Sequence, residues 1–228
     1  MQKKERDEEL EKRMHLFDGW VKEGKIPFSS KVIPVQQSLQ LLQWVLPTQQ
    51  VLEILRNSRS FALAKCLCRT KQKRCDKPVE VCFYTNDVAD KMVEQGAARP
   101  VSLSEASEAL KLANEHGLVQ LTIYNPEQHL YALCSCCECC CHDIAFMKKL
   151  GRPELVAHAD YVAAVDTDAC MQCGVCTERC IFGAQSGESG AVVFDQDKCY
   201  GCGLCVSTCA SNAIRMELNT GRLCPPRN

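Results

Sequence analysis

Two runs of cysteine near the carboxyl end of the 228-residue chain share one spacing: Cys170-x-x-Cys173-x-x-Cys176-x-x-x-Cys180 and Cys199-x-x-Cys202-x-x-Cys205-x-x-x-Cys209. Thiolates spaced in this way ligate cubane iron–sulfur clusters. A cubane takes four thiolates at the corners of a tetrahedron. One tight loop supplies three, because the short spacing wraps backbone around the cluster, and the fourth has to approach from the far side. The expected ligand sets therefore cross over. Cys170, Cys173, Cys176 and Cys209 form one 4Fe-4S site, and Cys199, Cys202, Cys205 and Cys180 form the other. Gly174, Gly201 and Gly203 are the expected cluster-binding glycines, letting the loops turn close to iron and present amide donors to sulfur. Zinc also takes paired C-x-x-C, but a tetrahedral zinc needs only two such pairs, and eight cysteines in matched runs exceed that.

The elements that position these thiols repeat as well. Residues 161–170 align with residues 190–199, an offset of 29 (199 minus 170) that holds for all eight cysteines. Each copy reads as a short apolar strand, an Asp-x-Asp turn, a cysteine loop and a short helix. Duplicated units of this size bury their apolar faces against each other, which predicts a small pseudo-twofold α+β domain.

At this point the chain resembles the bacterial-type dicluster 4Fe-4S ferredoxin family over residues 160–219. The resemblance implies a low-potential, oxygen-sensitive, one-electron carrier domain, usually cytoplasmic. The family commonly places proline after the last cysteine of each run; here Ile181 and Ala210 stand there. The ligand positions are untouched, but loop rigidity and cluster environment differ from the family pattern.

Ten further cysteines precede these runs: Cys66, Cys68, Cys75 and Cys82, then Cys134, Cys136, Cys137, Cys139, Cys140 and Cys141. Six cysteines in eight residues are too crowded for six separate disulfides of normal geometry. The layout, C-x-C-R with Cys75, Pro78 and Cys82, then His116-Gly117-Leu118 and a CC-x-CC block, resembles larger dicluster ferredoxins of anaerobic bacteria and archaea over residues 33–142. That resemblance implies electron transfer. Three readings of the ten thiols stand side by side: one or two additional iron–sulfur clusters, structural zinc, or a thiol–disulfide redox site. The first is preferred, with Cys66, Cys68, Cys75 and Cys82 joined by the later block. Adjacent cysteines point in different directions, so Cys136 and Cys137, or Cys139 and Cys140, can serve different sites. Arg69, Lys71, Lys73 and Arg74 read either as a solvated loop or as compensation for cluster charge. His142 and His158 read as surface or core histidines rather than ligands, and Cys224 as spare.

Secondary-structure signals fill in the rest. Leu10, Met14, Phe17 and Val21 give residues 3–23 the periodicity of an amphipathic helix, packed on its own domain or on a partner. Pro27, Pro34 and Pro47 mark an extended arm. Thr48 is placed to cap a helix through Val51 and Leu55, residues 61–66 read as a buried strand, and Cys66 to Cys82 as a loop. Asn86 is placed to cap a helix ending before Gly96. Ser102 and Glu105 form a capping box for the next helix, which Gly117 ends. Residues 118–124 and 130–134 read as strands joined by a turn at Asn125-Pro126. Helix, helix, strand, turn, strand is winged-helix-like, but Glu105, Glu108 and Glu115 against Lys111 leave no basic recognition helix. The fold class is therefore α+β: a pseudo-twofold dicluster domain at 159–220, a small mixed α/β cysteine-rich domain at 48–158, a helix and arm at 1–47, and a tail at 221–228.

Composition bounds the function. Lysine and arginine total 27 against 28 acidic residues, so the formal charge is -1 and nothing points to nucleic acid. No apolar run approaches the roughly 18 residues of a membrane span. The charged first 25 residues do not read as an export signal, so clustered thiols are expected to be metal ligands in a reducing compartment, the cytoplasm of an anaerobic prokaryote. No Gly-rich phosphate loop follows a strand, so electrons have to come from a protein. The expectation is an electron-transfer subunit that serves a larger oxidoreductase through redox partner proteins. A small-molecule substrate is not expected. A redox enzyme with a substrate-facing cluster at Cys134–Cys141, and a zinc-containing redox-sensing regulator, are the alternatives.

Overall fold

The computed structural model describes residues 3–33, 47–125, 129–187 and 191–219. The expected arm beyond Ile33, Gly190 of the repeat and the tail with Cys224 lie outside those residues. The chain divides into two compact units, residues 1–31 with 55–157 and residues 32–54 with 158–228.

Among the described residues, helix α1 (Lys3–Lys22) of the first unit is followed by strand β1 (Ser30–Ile33), whose last two residues fall in the second unit, by helix α2 (Pro47–Asn57), which belongs to the second unit up to Ile54, and by strand β2 (Phe61–Lys65) of the first unit. Helix α3 (Leu67–Gln72), strand β3 (Glu80–Thr85), helix α4 (Asn86–Glu94), strand β4 (Ala98–Pro100) and helix α5 (Leu103–Glu115) come next. Strands β5 (Val119–Tyr124) and β6 (Leu130–Cys136), helix α6 (His142–Leu150) and strand β7 (Val156–Ala157) complete it. The sheet runs β4-β2-β3-β6-β5-β1-β7. The β5–β6 hairpin is at its centre, antiparallel from Val119↔Cys136 to Tyr124↔Leu130. The expected hairpin is thus part of a seven-stranded sheet, which is wider than a winged helix provides.

Helix α1 forms where the apolar spacing predicts, and its stripe packs on its own unit. Phe17 is buried with Ile26, Phe146 and Leu155, and Leu10, Met14 and Val21 pack against them. Gly24, at φ 69°, supplies the left-handed turn after the helix. The capping box on α5 is present: Ser102 Oγ accepts from the Glu105 N–H at 3.2 Å, and Glu105 Oε2 accepts from the Ser102 N–H at 2.9 Å. Three expectations are corrected. Helix α2 begins at Pro47, where a missing N–H costs nothing, so Thr48 lies inside it. Thr85 rather than Asn86 is the N-cap residue of α4, and the Asn86 carboxamide accepts from the Arg59 N–H at 2.9 Å. The stretch from Cys66 to Cys82 is not one loop, because it contains α3 and places Cys82 within β3.

The second unit is built from strand β8 (Tyr161–Val165), helix α7 (Val175–Arg179), and strands β9 (Gln185–Ser186), β10 (Val193–Phe194) and β11 (Ile214–Leu218). The first strand of one repeat pairs with the last of the other, both times antiparallel: β8 with β11, β9 with β10. The 29-residue offset also holds in the backbone. Gln172, Gly174 and Gly183 have positive φ, and so do Gly201, Gly203 and Asn212. Both Asp-x-Asp turns are made: Asp166 Oδ1 accepts from the Asp168 N–H at 3.0 Å, and Asp195 Oδ1 from the Asp197 N–H at 3.0 Å. The copies differ at the helix. Residues 204–208 form turns where α7 would repeat. There the Ser207 and Thr208 hydroxyls donate to the carbonyls of Leu204 and Cys205 at 3.1 and 3.0 Å, as Thr177 in α7 donates to the Gly174 carbonyl at 2.7 Å.

Candidate metal centres

The second unit brings the two predicted quartets together. Cys176 is buried, and its thiol is pushed up, first by burial and then by the neighbouring charges of Cys170, Cys173 and Cys209. Cys202 is pushed well up by burial and by Cys205, Cys180 and Cys199. Cys205 is pushed up to about 12 by burial, then by Cys199, Cys180 and Cys176. Cys173 is exposed and Cys170, Cys180 and Cys209 are half-buried, but four thiolates gathered in one place repel unless metal lies among them, so the donor chemistry fits a cluster in each quartet. Backbone amides are already aimed at sulfur: the Ala213 N–H donates to Cys209 Sγ at 3.3 Å. Gly201 has φ +72° and an added Cβ would lie 2.0 Å from the Tyr161 carbonyl oxygen, so only glycine fits there. Gly174 needs its positive φ but has open space around it. Tyr200 and Phe182 carry no sequence signal of their own. Tyr200 is stacked between His158 (4.0 Å) and Phe182 (4.7 Å), and His158 Nδ1 donates to the Cys199 carbonyl at 3.0 Å.

In the first unit the ten thiols separate into a six and a four. The six form a closed ring of neighbouring thiols. Cys66 contacts Cys68 and Cys82, Cys134 contacts Cys136 and Cys82, and Cys141 contacts Cys136 and Cys68. Sheet register builds one side of it. Phe83↔Leu133 and Tyr84↔Ala132 on β3 and β6 bring Cys82 opposite Cys134 one step further on, and Cys136 lies two residues along on the same face. Cys66 and Cys68 come from the end of β2 and the start of α3, and Cys141 from the N-cap of α6. Cys66, Cys134 (to about 6) and Cys141 are pulled down by the thiols on either side, and Cys68, Cys82 and Cys136 are raised.

Arg69 is buried beside this ring at 2 % exposure. Its Nη1 donates to the Ser135 carbonyl at 2.9 Å and to Cys137 Sγ at 3.7 Å, whereas Nε and Nη2 have no hydrogen-bond partner. Orphaned guanidinium donors among thiols fit an anionic metal–sulfur group. Lys71, Lys73 and Arg74 are exposed, so of the four cations only Arg69 compensates charge from within. His142 is half-buried, with its Nδ1 3.1 Å from Cys68 Sγ and its Nε2 3.1 Å from Asp143 Oδ2. It therefore orients a ring thiol. The ring opens on a cavity of about 460 Å³, lined also by Arg13, Tyr84 and Tyr131.

The remaining four, Cys75, Cys137, Cys139 and Cys140, gather with all sulfurs within 4.8 Å of one another. Cys75 thus parts from Cys66, Cys68 and Cys82, its neighbours in the sequence grouping. Consecutive Cys136 and Cys137 do face different sets, as their opposed directions predict.

Among the described residues, no helix is long and apolar enough to cross a membrane. No curated protein matches the chain significantly. A family model described as a 4Fe-4S dicluster domain matches residues 163–216, which supports a ferredoxin-like, iron–sulfur-binding domain in that part of the chain.

Proposed function

We propose that this chain is an iron–sulfur electron-transfer protein, a one-electron relay with two 4Fe-4S clusters at residues 170–209 and a further polynuclear centre in the cysteine-rich unit. The pair of crossed quartets carries the reading: Cys176 neighbours Cys170, Cys173 and Cys209, and Cys202 neighbours Cys180, Cys199 and Cys205. The clusters supply reversible one-electron chemistry at low potential. The protein bends the Gly201 loop close to them and directs the Ala213 N–H at a thiolate. Six thiols exceed the four that a single tetrahedral ion accepts, so the ring built on Cys66, Cys68, Cys82, Cys134, Cys136 and Cys141 is assigned to a polynuclear iron–sulfur centre.

The partner is a redox protein, in our reading a larger oxidoreductase. The apolar stripe of α1 is occupied by its own unit, so docking falls to other surfaces. The test is anaerobic iron and acid-labile sulfide analysis with paramagnetic resonance of the reduced full-length chain. Two magnetically interacting clusters from residues 170–209 are expected, and colourless protein without sulfide overturns the proposal. The cavity beside the ring favours a second reading, a redox enzyme whose substrate meets that centre. A substrate-dependent change in the ring's resonance signal would distinguish it.

A further inference from the structure

The four thiols of Cys75, Cys137, Cys139 and Cys140 have a geometry of their own. Cys75 Sγ lies 4.0 Å from Cys137 Sγ and 4.0 Å from Cys140 Sγ, and Cys139 Sγ lies 3.9 Å from Cys140 Sγ. Sulfurs at about 2.3 Å from one tetrahedral ion are separated by about 3.8 Å. In a cubane each thiolate sits on its own iron and points outward from a corner, which holds the sulfurs further apart. The rest of the molecule supplies the comparison. Among the described residues, this is the one group of three or more ligating atoms lying mutually within 4.8 Å, and neither quartet at 170–209 is so compact.

From this spacing we infer that Cys75, Cys137, Cys139 and Cys140 form a closed, mononuclear tetrathiolate site for zinc, separate from every iron–sulfur centre in the chain. Three ligands come from the tight turn after β6, and the fourth comes from the segment between α3 and β3. The ion therefore ties the loop before β3 to the turn after β6, beyond the point where the register of those two strands ends. The surroundings agree. The set packs on Val81, Ala113 and Leu118, and Cys137 and Cys140 are buried. The Lys77 N–H is directed at Cys75 and the Arg74 N–H at Cys140, the backbone donors that steady metal-bound thiolates. Four protein ligands leave no open position, so the site is structural.

This inference deepens the assignment of the cysteine-rich unit and does not depend on the clusters at 170–209. The test uses full-length protein purified anaerobically and treated with iron and sulfide. Zinc X-ray absorption should show about one zinc per chain with four sulfur neighbours near 2.3 Å and no second metal close by. Cys139→Ser should abolish tight zinc retention while leaving iron, sulfide and the resonance signal of the paired clusters unchanged. Absence of zinc from the treated wild type overturns the inference. So does a Cys139→Ser protein that loses iron and keeps zinc. Should that variant fail to fold, the wild-type absorption spectrum decides alone: a short metal–metal vector at the zinc overturns the site. Loss of labile sulfide with zinc intact would sink the electron-transfer reading and leave this one standing.

Discussion

The guanidinium of Arg69 donates from Nη1 to Cys137 Sγ at 3.7 Å, so the cation that lies beside the six-thiol ring also touches a member of the four-thiol set. One buried charge thereby serves two neighbouring groups of thiolates. Replacing it with methionine removes a donor from the Ser135 carbonyl and leaves the thiolates uncompensated. Arg69→Met is expected to cost about 3 kcal/mol and to reduce metal retention in the first unit. Arg69→Lys keeps the charge without the fork and should fall between. Metal content and thermal unfolding under anaerobic conditions measure both.

Crossed ligation makes a directional prediction. Cys180→Ser should damage the cluster held by Cys199, Cys202 and Cys205, and Cys209→Ser the one held by Cys170, Cys173 and Cys176. In each variant the magnetic interaction between the reduced clusters disappears while one cluster signal persists. If the signal lost is that of the run containing the mutated cysteine, ligation is not crossed.

Gly201 and Gly174 share a positive φ but not their surroundings. Gly174→Ala meets only backbone strain, on the order of 1 kcal/mol. Gly201→Ala adds a Cβ against the Tyr161 carbonyl and the Ala159 methyl group. It should lower the iron content of the second unit and the melting temperature markedly more than Gly174→Ala, as iron analysis and calorimetry would show.

Asp143 is buried, its Oδ1 3.1 Å from Ser29 Oγ and its Oδ2 3.1 Å from His142 Nε2. Asp143→Ala strands His142, which then holds Cys68 less firmly. A loss of about 2 kcal/mol is expected, with a melting temperature lower by several degrees. The perturbation should reach the ring's optical spectrum and leave the paired clusters untouched. Altered signals from the paired clusters instead would place Asp143 outside this role.

Short-range spacing made much of the molecule legible from its residues alone. Cys170 to Cys180 and Cys199 to Cys209 carry their chemistry within single loops, so counting intervals was enough to expect two thiol quartets. The 29-residue repeat, the Ser102–Glu105 box and the stripe from Leu10 to Val21 are local too, set by turn, cap and helix periodicities of a few residues. The division of the other ten cysteines was not legible in this way. Cys75 leaves Cys66, Cys68 and Cys82 because β3 carries Cys82 to face Cys134, while the preceding loop directs Cys75 to the turn after β6. That choice depends on which strands become neighbours and in what register, a long-range property of the sheet. Sequence thus determined that the chain presents thiols for metal. Tertiary structure decided which thiols share a centre, because ligands distant in the chain meet only once β2, β3 and β6 have paired.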